Sequence, residues 1–486
     1  MERILSVKEM RAADEYTVSA LGISEDVLTE RAAAAVADEI IKRLHGGRVL
    51  VCVGAGHNGE DGKIIARILS AVHGFTVAVM NVSGGMLKLF DRKFDIIVDC
   101  IFGTGLNRPV EGAYRQAIEK INASGAYVVA CDIPSGLNGD TGRAMGAAVK
   151  ANLTVAVQEY KLGHFINDGP DYCGTVIAKD IGISIWGEGF VSRLGQEDAA
   201  AFFPPRKRNT HKGTYGKVAV LGGSKAFPGS ALLALSGLGA LQTGAGYANL
   251  AIPDCIYGVC AARVPECTIT SLPDDGNNLV FDEQSLATLL KYDVIVAGMG
   301  MGVTEENYKI LSYLLKNYRG RLVIDADGLN TLAKYGQSVL SDKLPETVIT
   351  PHIGEFSRLS LKSAEEITVD PFGMSREYAK KFGVTVVLKS AATVITDGES
   401  LFLNTAGNAG MAKAGSGDVL GGIIAGLLLR GESAALSAAC GCYLFGRAGE
   451  LAVGRKNQYS VTALDFSSCL SDVITAVTGG ERPIRG

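Results

Sequence analysis

Short, continuous apolar runs recur along this chain, and each closes on a turn rich in glycine and polar residues. Arg48–Val53 runs into Gly54-Ala55-Gly56-His57-Asn58-Gly59-Glu60-Asp61-Gly62, and Asp95–Cys100 into Phe102–Pro109. Tyr127–Cys131 runs into Asp132-Ile133-Pro134-Ser135-Gly136, and Thr76–Met80 and Leu153–Val157 add two more apolar runs. Runs this short and this uniformly apolar suit strands buried on both faces. Helical patterns lie between them, in 7–46, which Gly22 divides, and from Lys63 to His73. Ser24 and Asp26 are placed to cap the second of the two early helices. Alternating strands and helices predict a parallel sheet with helices on both faces, whose ligands sit at the carboxyl ends of the strands. The three polar turns fall at those ends. Each taken singly has a plainer reading, since an aspartate at a strand end, Asp99 or Asp132, also caps turns.

The same pattern restarts after Phe202-Phe203-Pro204-Pro205-Arg206-Lys207-Arg208, a linker with a basic run that reads as a solvated face. Lys217–Leu221 closes on Gly222-Gly223-Ser224, and a small-residue helix is expected over 231–244. Further strands follow at Ala248–Ile252, Tyr292–Ala297 and Val384–Leu388. The most restrictive stretch is Asn408-Ala409-Gly410-Met411-Ala412-Lys413-Ala414-Gly415-Ser416-Gly417-Asp418, followed by the apolar run Val419–Leu429. A glycine turn opening onto a buried helix leaves backbone N–H groups unpaired at the positive end of the helix dipole, which is an anion site, most often for phosphate. Asp418, the only acid of the turn, would repel phosphate unless it took a proton from an attacking hydroxyl. The plainer reading is a glycine turn that serves close helix packing.

At 486 residues the chain has room for two or three domains, and its net charge of −4 with a pI near 6.0 favours neither nucleic acid nor an anionic membrane. Ten cysteines without a C-x-x-C pair read as free thiols of a reducing cytoplasm. The N-terminus lacks the apolar core of a signal peptide, and Val419–Leu429 is too short to span a bilayer.

The stretch Asn408–Gly422 resembles the signature of the ADP-dependent NAD(P)H-hydrate dehydratases, with Ala414-Gly415 where that family has two glycines. Lys212-Gly213, Gly222-Gly223-Ser224, Gly298–Gly302, Asp325-Ala326-Asp327-Gly328-Leu329-Asn330 and Thr350-Pro351-His352-Ile353-Gly354-Glu355 match other motifs of the same family. In the first half, Asn58, Asp61 and Gly62, then Asp99 with Gly103-Thr104-Gly105, then Asp132–Gly136 resemble the NAD(P)H-hydrate epimerases. His57 stands where that family has asparagine. The link from Met80 to Phe94 is short for it, so one helix or strand is expected to be missing. Together the matches cover nearly the whole chain.

The resemblance implies an α/β protein of two domains: a Rossmann-like three-layer sandwich, 1–208, and a ribokinase-like α/β/α sandwich, 209–486. It implies epimerisation of R and S NAD(P)H hydrate in the first and ADP-dependent dehydration of the S form, NADHX or NADPHX, in the second. In the epimerase domain it implies K+ held by Asn58, Asp99 and Ser135, with Asp132 and Lys161 in catalytic roles. Substrate there would meet His57, Asn58, Gly59, Glu60, Asp61, Gly103, Thr104, Gly105, Leu106, Asn107, Arg108, Pro109 and Asp132. Lys161 also reads as a solvated surface lysine. In the dehydratase domain Asp418 would be catalytic, and the hydrate would meet Gly300, His352, Ile353, Gly354, Glu355, Phe356 and Asp418. ADP would meet Lys389, Ser390, Ala391, Ala392 and Thr393, together with Asn408, Ala409, Gly410, Met411, Ala412, Lys413, Ala414, Gly415, Ser416 and Gly417. Mg2+ is expected with the nucleotide, and a homo-oligomer is expected. Two other readings stand beside this one: an ordinary small-molecule kinase in the second half, and a non-catalytic binding module in the first.

Overall fold

The computed structural model describes residues 1–84, 87–187, 189–236 and 239–480. The chain divides into two compact units, Arg3–Phe190 and Val191–Gly486, the latter with Met1–Glu2. The division falls at Val191 and not at 208–209, for a backbone reason. Val191–Arg193 is a strand that pairs in parallel with Leu401–Asn404, through Leu401 opposite Val191. Ala199 and Phe202, just beyond it, are buried in the second unit's core.

The first unit is built on a six-stranded parallel sheet. Its order is Phe75–Asn81, Gly47–Val53, Ile96–Cys100, Tyr127–Cys131, Leu153–Val157, Thr175–Lys179. Because successive side chains of a strand point to opposite faces, Gly47–Val53 supplies both cores. Val49, Val51 and Val53 pack with Ala33, Val36 and Ile40 of helix Glu25–Leu44. Leu50 and Cys52 pack with Ala117, Ile118 and Ile121 of helix Gly112–Ala123. The chain passes from Phe75–Asn81 to Ile96–Cys100 through short 3-10 turns at Val82–Gly84 and Leu87–Asp91, with no α-helix among the described residues there. The strand order reverses between Gly47–Val53 and Ile96–Cys100, where such sheets bind ligands.

The helix after Gly47–Val53 begins at His57, six residues before the start expected at Lys63. Glycine explains the difference. A Cβ at Gly59 would lie 2.1 Å from the Gly54 carbonyl oxygen, so the helix starts directly over the strand end. Of the two early helices, Val7–Ser19 carries a capping box from Ser6 and Glu9, while Ser24 caps Glu25–Leu44 without a side-chain bond.

The second unit repeats the plan. Its parallel strands run in the order Thr268–Leu272, Tyr247–Pro253, Lys217–Leu221, Val294–Ala297, Arg321–Ile324, Glu346–Ile349, Thr385–Leu388. Thr393–Thr396 and Leu401–Asn404 extend the sheet antiparallel. The helix expected over 231–244 is found as Pro228–Ser236 and Gly239–Gln242; Gly237 and Leu238 between them lie outside the described residues, as do Gly85 and Met86 of the short link. Helix Ser416–Leu428 buries all ten residues from Val419 to Leu428, which is why its sequence is apolar all round. Gly422 makes that burial fit, because a Cβ there would lie 2.1 Å from the Ala234 carbonyl oxygen.

Gly422→Ala should therefore destabilise the second unit by about 1–3 kcal/mol, the usual cost of overpacking. Thermal unfolding of the full chain measures it, and an unchanged midpoint would show that the helix contact yields without strain.

Candidate active sites

In the first unit, the turns after three strands converge on Phe102. Asn58, buried in the first turn of helix His57–Ser70, donates its amide to the carbonyls of Phe102 at 2.9 Å and Cys131 at 3.4 Å. Its Oδ1 is buried and has no hydrogen-bond partner. Ser135 Oγ accepts from the Phe102 N–H at 2.8 Å and donates to Asp99 Oδ1 at 2.6 Å. Asp99 is fully buried and also accepts from the backbone N–H of Ser135 at 2.7 Å and of Ile101 at 3.3 Å. Burial pushes its carboxyl up to about 6, against the pull of those hydrogen bonds.

Beside this group lies a second one. Asp132 sits at φ +66°, a left-handed backbone that non-glycine residues rarely adopt. Its carbonyl is bonded to His164 Nε2 at 2.8 Å, and its Oδ1 accepts from the Val157 N–H at 2.9 Å and pairs with Lys161 Nζ. Lys161 is 1% exposed and also donates to the Val157 carbonyl at 2.7 Å. It is a buried member of the site, not a solvated surface lysine. Its backbone is fixed on both sides: Lys161 pairs with Leu5 in a short parallel ladder, and its N–H donates to His164 Nδ1 at 3.1 Å. Burial, then repulsion from Asp132 and Glu60, push the Asp61 carboxyl up to about 7.

In the second unit, residues just beyond the carboxyl ends of strands Arg321–Ile324, Glu346–Ile349 and Thr385–Leu388 surround Asp418 at the amino end of helix Ser416–Leu428. Gly415 caps that helix at φ +86°, and Asp418 is its third residue. Burial raises the Asp418 carboxyl to about 7; Asp325, Asp327 and Glu355 push the same way, and Lys389 opposes them. Lys389 Nζ pairs with Asp325 Oδ1 at 2.8 Å. His352 and Lys389 lie side by side, with the Lys389 N–H bonded to the Pro351 carbonyl at 2.8 Å. His352 Nδ1 accepts from the N–H groups of Gly354 and Glu355 at 3.0 and 3.3 Å, capping helix Ile353–Ser360. Glu355 is buried and accepts the His352 N–H at 2.8 Å.

A family model described as NAD(P)H-hydrate dehydratase matches residues 218–471. One described as YjeF-related protein N-terminus matches 25–91 and 85–163, two segments that meet at the shortened link. The bifunctional NAD(P)H-hydrate repair enzyme of Thermofilum pendens is 34% identical over 98% of this chain and 97% of its own. That of Escherichia coli is 32% identical over 87% of this chain and 84% of its own. This chain belongs to the bifunctional NAD(P)H-hydrate repair enzyme family. Among solved structures, the ADP/ATP-dependent NAD(P)H-hydrate dehydratase of Bacillus subtilis, co-crystallised with ATP and Mg2+, is 28% identical with a TM-score of 0.51. It covers 59% of this chain and 99% of its own. A ribokinase-like superfamily protein of Enterococcus faecalis is 27% identical with a TM-score of 0.52, covering 60% of this chain and 98% of its own. No helix among the described residues is long and apolar enough to cross a membrane.

Most residues that the family resemblance singled out lie at these strand ends, but their side chains differ in what they offer. Phe356, in helix Ile353–Ser360, is fully buried, with its ring 5.3 Å from that of Tyr378, while His352, the extended residue that caps the helix, is exposed. In the nucleotide stretch, Asn408 Oδ1 accepts from the Gly410 N–H at 2.9 Å, Ser416 Oγ donates to the Met411 carbonyl at 2.8 Å, and Lys413 Nζ donates to the Tyr459 carbonyl at 2.9 Å. These three side chains shape the turn, and the backbone N–H groups at the amino end of the helix are its anion-seeking element. Ser390 Oγ likewise donates to the Ala392 carbonyl at 2.6 Å. His57 and Glu60 are exposed, with Glu60 paired to Lys63 at 2.6 Å.

Three residues carry structure that their local sequence did not announce. His164 ties Asp132 to Lys161, a tie whose only sequence signal is its three-residue spacing from Lys161. Asp325 holds Lys389, 64 residues away. Asn307 donates to the carbonyls of Met301 and Gly302 at 2.7 and 2.9 Å, steadying the loop of Gly300.

The Asp61 carboxyl has a folded-state value near 7 against 3.8 for an ordinary aspartate, so its contribution to stability is whole below about pH 4 and is lost as pH rises through 7. Asp61→Asn should remove that loss and stabilise the first unit at pH 8 by on the order of 2–4 kcal/mol, with little effect at pH 4. Urea unfolding at both pH values measures it. An equal shift at both would show that the carboxyl is not held neutral by the fold.

Proposed function

We propose that this protein repairs hydrated nicotinamide nucleotides. The second unit dehydrates the S epimer of NADH or NADPH hydrate at the expense of ADP, and the first interconverts the R and S epimers. The observation that carries the dehydratase half is Asp418: a carboxyl poised near 7, at the amino end of a buried helix, facing a half-buried lysine. That is a general base set beside an anion site.

The chemistry follows from the poor leaving ability of hydroxide. Asp418 takes the proton of the C6 hydroxyl, and that oxygen attacks the terminal phosphorus of ADP, releasing AMP. The ring nitrogen lone pair then expels the new phosphate to give an iminium, and loss of a C5 proton, which the departing phosphate can accept, restores the dihydronicotinamide ring. The N–H groups at Gly417 and its neighbours, with the Lys389 ammonium, stabilise charge on the transferred phosphoryl group. Mg2+ when bound neutralises phosphate charge, and it typically takes only one or two protein carboxylates.

In the first unit, K+ fits the residues present. The Asn58 Oδ1 is a buried oxygen without a partner, next to the buried carboxylate of Asp99 and the hydroxyl of Ser135, and hard oxygen donors suit such a cation. Asn58, Asp99 and Ser135 would hold it, and its charge would anchor an anionic substrate. Asp132 and Lys161 are the pair placed to move a proton at the epimerising carbon. All ten cysteines are free, which supports a reducing compartment, the cytoplasm.

Asp418→Asn should lower dehydration by roughly 10²–10⁴, the typical loss with a general base, while ADP binding persists. Recovery of near-ultraviolet nicotinamide absorbance from S hydrate plus ADP reads the rate. Turnover near wild type would remove Asp418 from the mechanism, and accumulation of a stable phosphorylated product would indicate a kinase instead. Epimerisation should need K+, and Asp99→Ala should slow it while leaving dehydration of the S epimer unchanged. Equal loss of both activities would point to a folding defect.

A further inference from the structure

One motif has no task in the mechanism above: Asp325-Ala326-Asp327, at the end of strand Arg321–Ile324. Asp325 is 1% exposed. It pairs with Lys389 across an intervening strand, Glu346–Ile349, so the two side chains meet over the turn that leads to His352. A Cβ at Gly417 would lie 3.1 Å from Lys389 Nζ and 3.2 Å from Asp325 Oδ2, so both ends of the ion pair abut the helix turn that carries Asp418. Any side chain at 417 would press on the pair.

We infer that Asp325 is the positioning residue of the dehydratase site: it pins the Lys389 ammonium against the Gly417 backbone, where the ammonium meets the nucleotide phosphates and balances the charge of Asp418. The part that concerns Asp418 rests on the dehydratase reading; the tether of Lys389 rests on geometry alone.

A buried ion pair is a weak source of stability, because desolvation offsets most of the attraction. Its value here is placement. A lysine is a flexible point charge with three donor directions, and one bond to a buried, rigid carboxylate fixes where the others aim. The charged groups facing Asp418 come from three elements: Asp325 and Asp327 from one strand end, Glu355 from helix Ile353–Ser360, and Lys389 from the strand end beside it. Asp325 is the nearest acid to Lys389 and, after burial, the leading cause of the raised Asp418 carboxyl. Removing Asp325 and removing Lys389 must then move Asp418 in opposite directions, a signature that loss of packing does not produce.

The test compares full-length wild type, Asp325→Asn and Lys389→Met in two measurements. The first is the acid limb of kcat/KM for S hydrate, which reports the base of the free enzyme. The second is ADP affinity by calorimetry without hydrate. Asp325→Asn should move the acid limb down by about one pH unit, and Lys389→Met should move it up. Both should weaken ADP about tenfold or more, as expected for losing or freeing a charge-assisted contact. If Asp325→Asn does not fold, Lys389→Met decides: an upward limb supports the inference and an unmoved limb overturns it. Acid limbs that stay put in both variants, with ADP affinity of Asp325→Asn within about twofold of wild type, overturn it as well. Wild type that binds ADP yet does not dehydrate S hydrate would sink the dehydratase reading alone, and the calorimetry would still test the tether.

Discussion

Each unit is arranged around a lysine held by an aspartate at the carboxyl ends of parallel strands, fully buried in the first and half-buried in the second. In the first the pair is Lys161 with Asp132; in the second it is Lys389 with Asp325. A charge is driven out of a protein interior by several kcal/mol unless it is paired and hydrogen-bonded. Both lysines therefore depend on every neighbour that holds the partner in place. In both units a further carboxyl stands beside the pair, Asp61 or Asp418, and burial lifts it to about 7. A group near 7 serves as acid or base at physiological pH. The two sites reach the same electrostatic arrangement on separate sheets.

Glycine makes the arrangement sterically feasible. Over the first sheet, the absence of side chains at Gly54 and Gly59 lets a helix begin at the strand end, which brings Asn58 and Asp61 into the site. Over the second, Gly417 leaves room for Lys389 and Asp325, and Gly422 lets the same helix seat against the Ala234 backbone. A single methyl at any of these positions meets backbone oxygen or the ion pair itself.

The bland alternatives meet specific obstacles. An aspartate that merely caps a turn has no need of a buried lysine on its carboxylate, yet Asp132 has one. The crossover after Phe75–Asn81 runs through short 3-10 turns among the described residues, and the three polar turns meet at Phe102.

The sequence by itself determined the layers and the strand ends. Apolar runs such as Arg48–Val53 and Lys217–Leu221 are too short and too uniformly apolar for surface helices, and the glycine turns that end them mark the carboxyl ends of the strands. It also marked the glycine-rich helix start that carries Asp418, since such a start is a local property of the chain. Tertiary structure decided the rest. Where the first unit ends depended on Val191 pairing with Leu401, more than two hundred residues away. Whether Lys161 was solvated or buried depended on His164, Asp132 and Leu5 closing around it. The pairing of Asp325 depended on Lys389 reaching it across a strand, and Phe356 is packed in the core against Tyr378. Desolvation and charge pairing act between residues far apart in sequence, so no local pattern states which carboxyl will stand near 7; only the packed fold sets that.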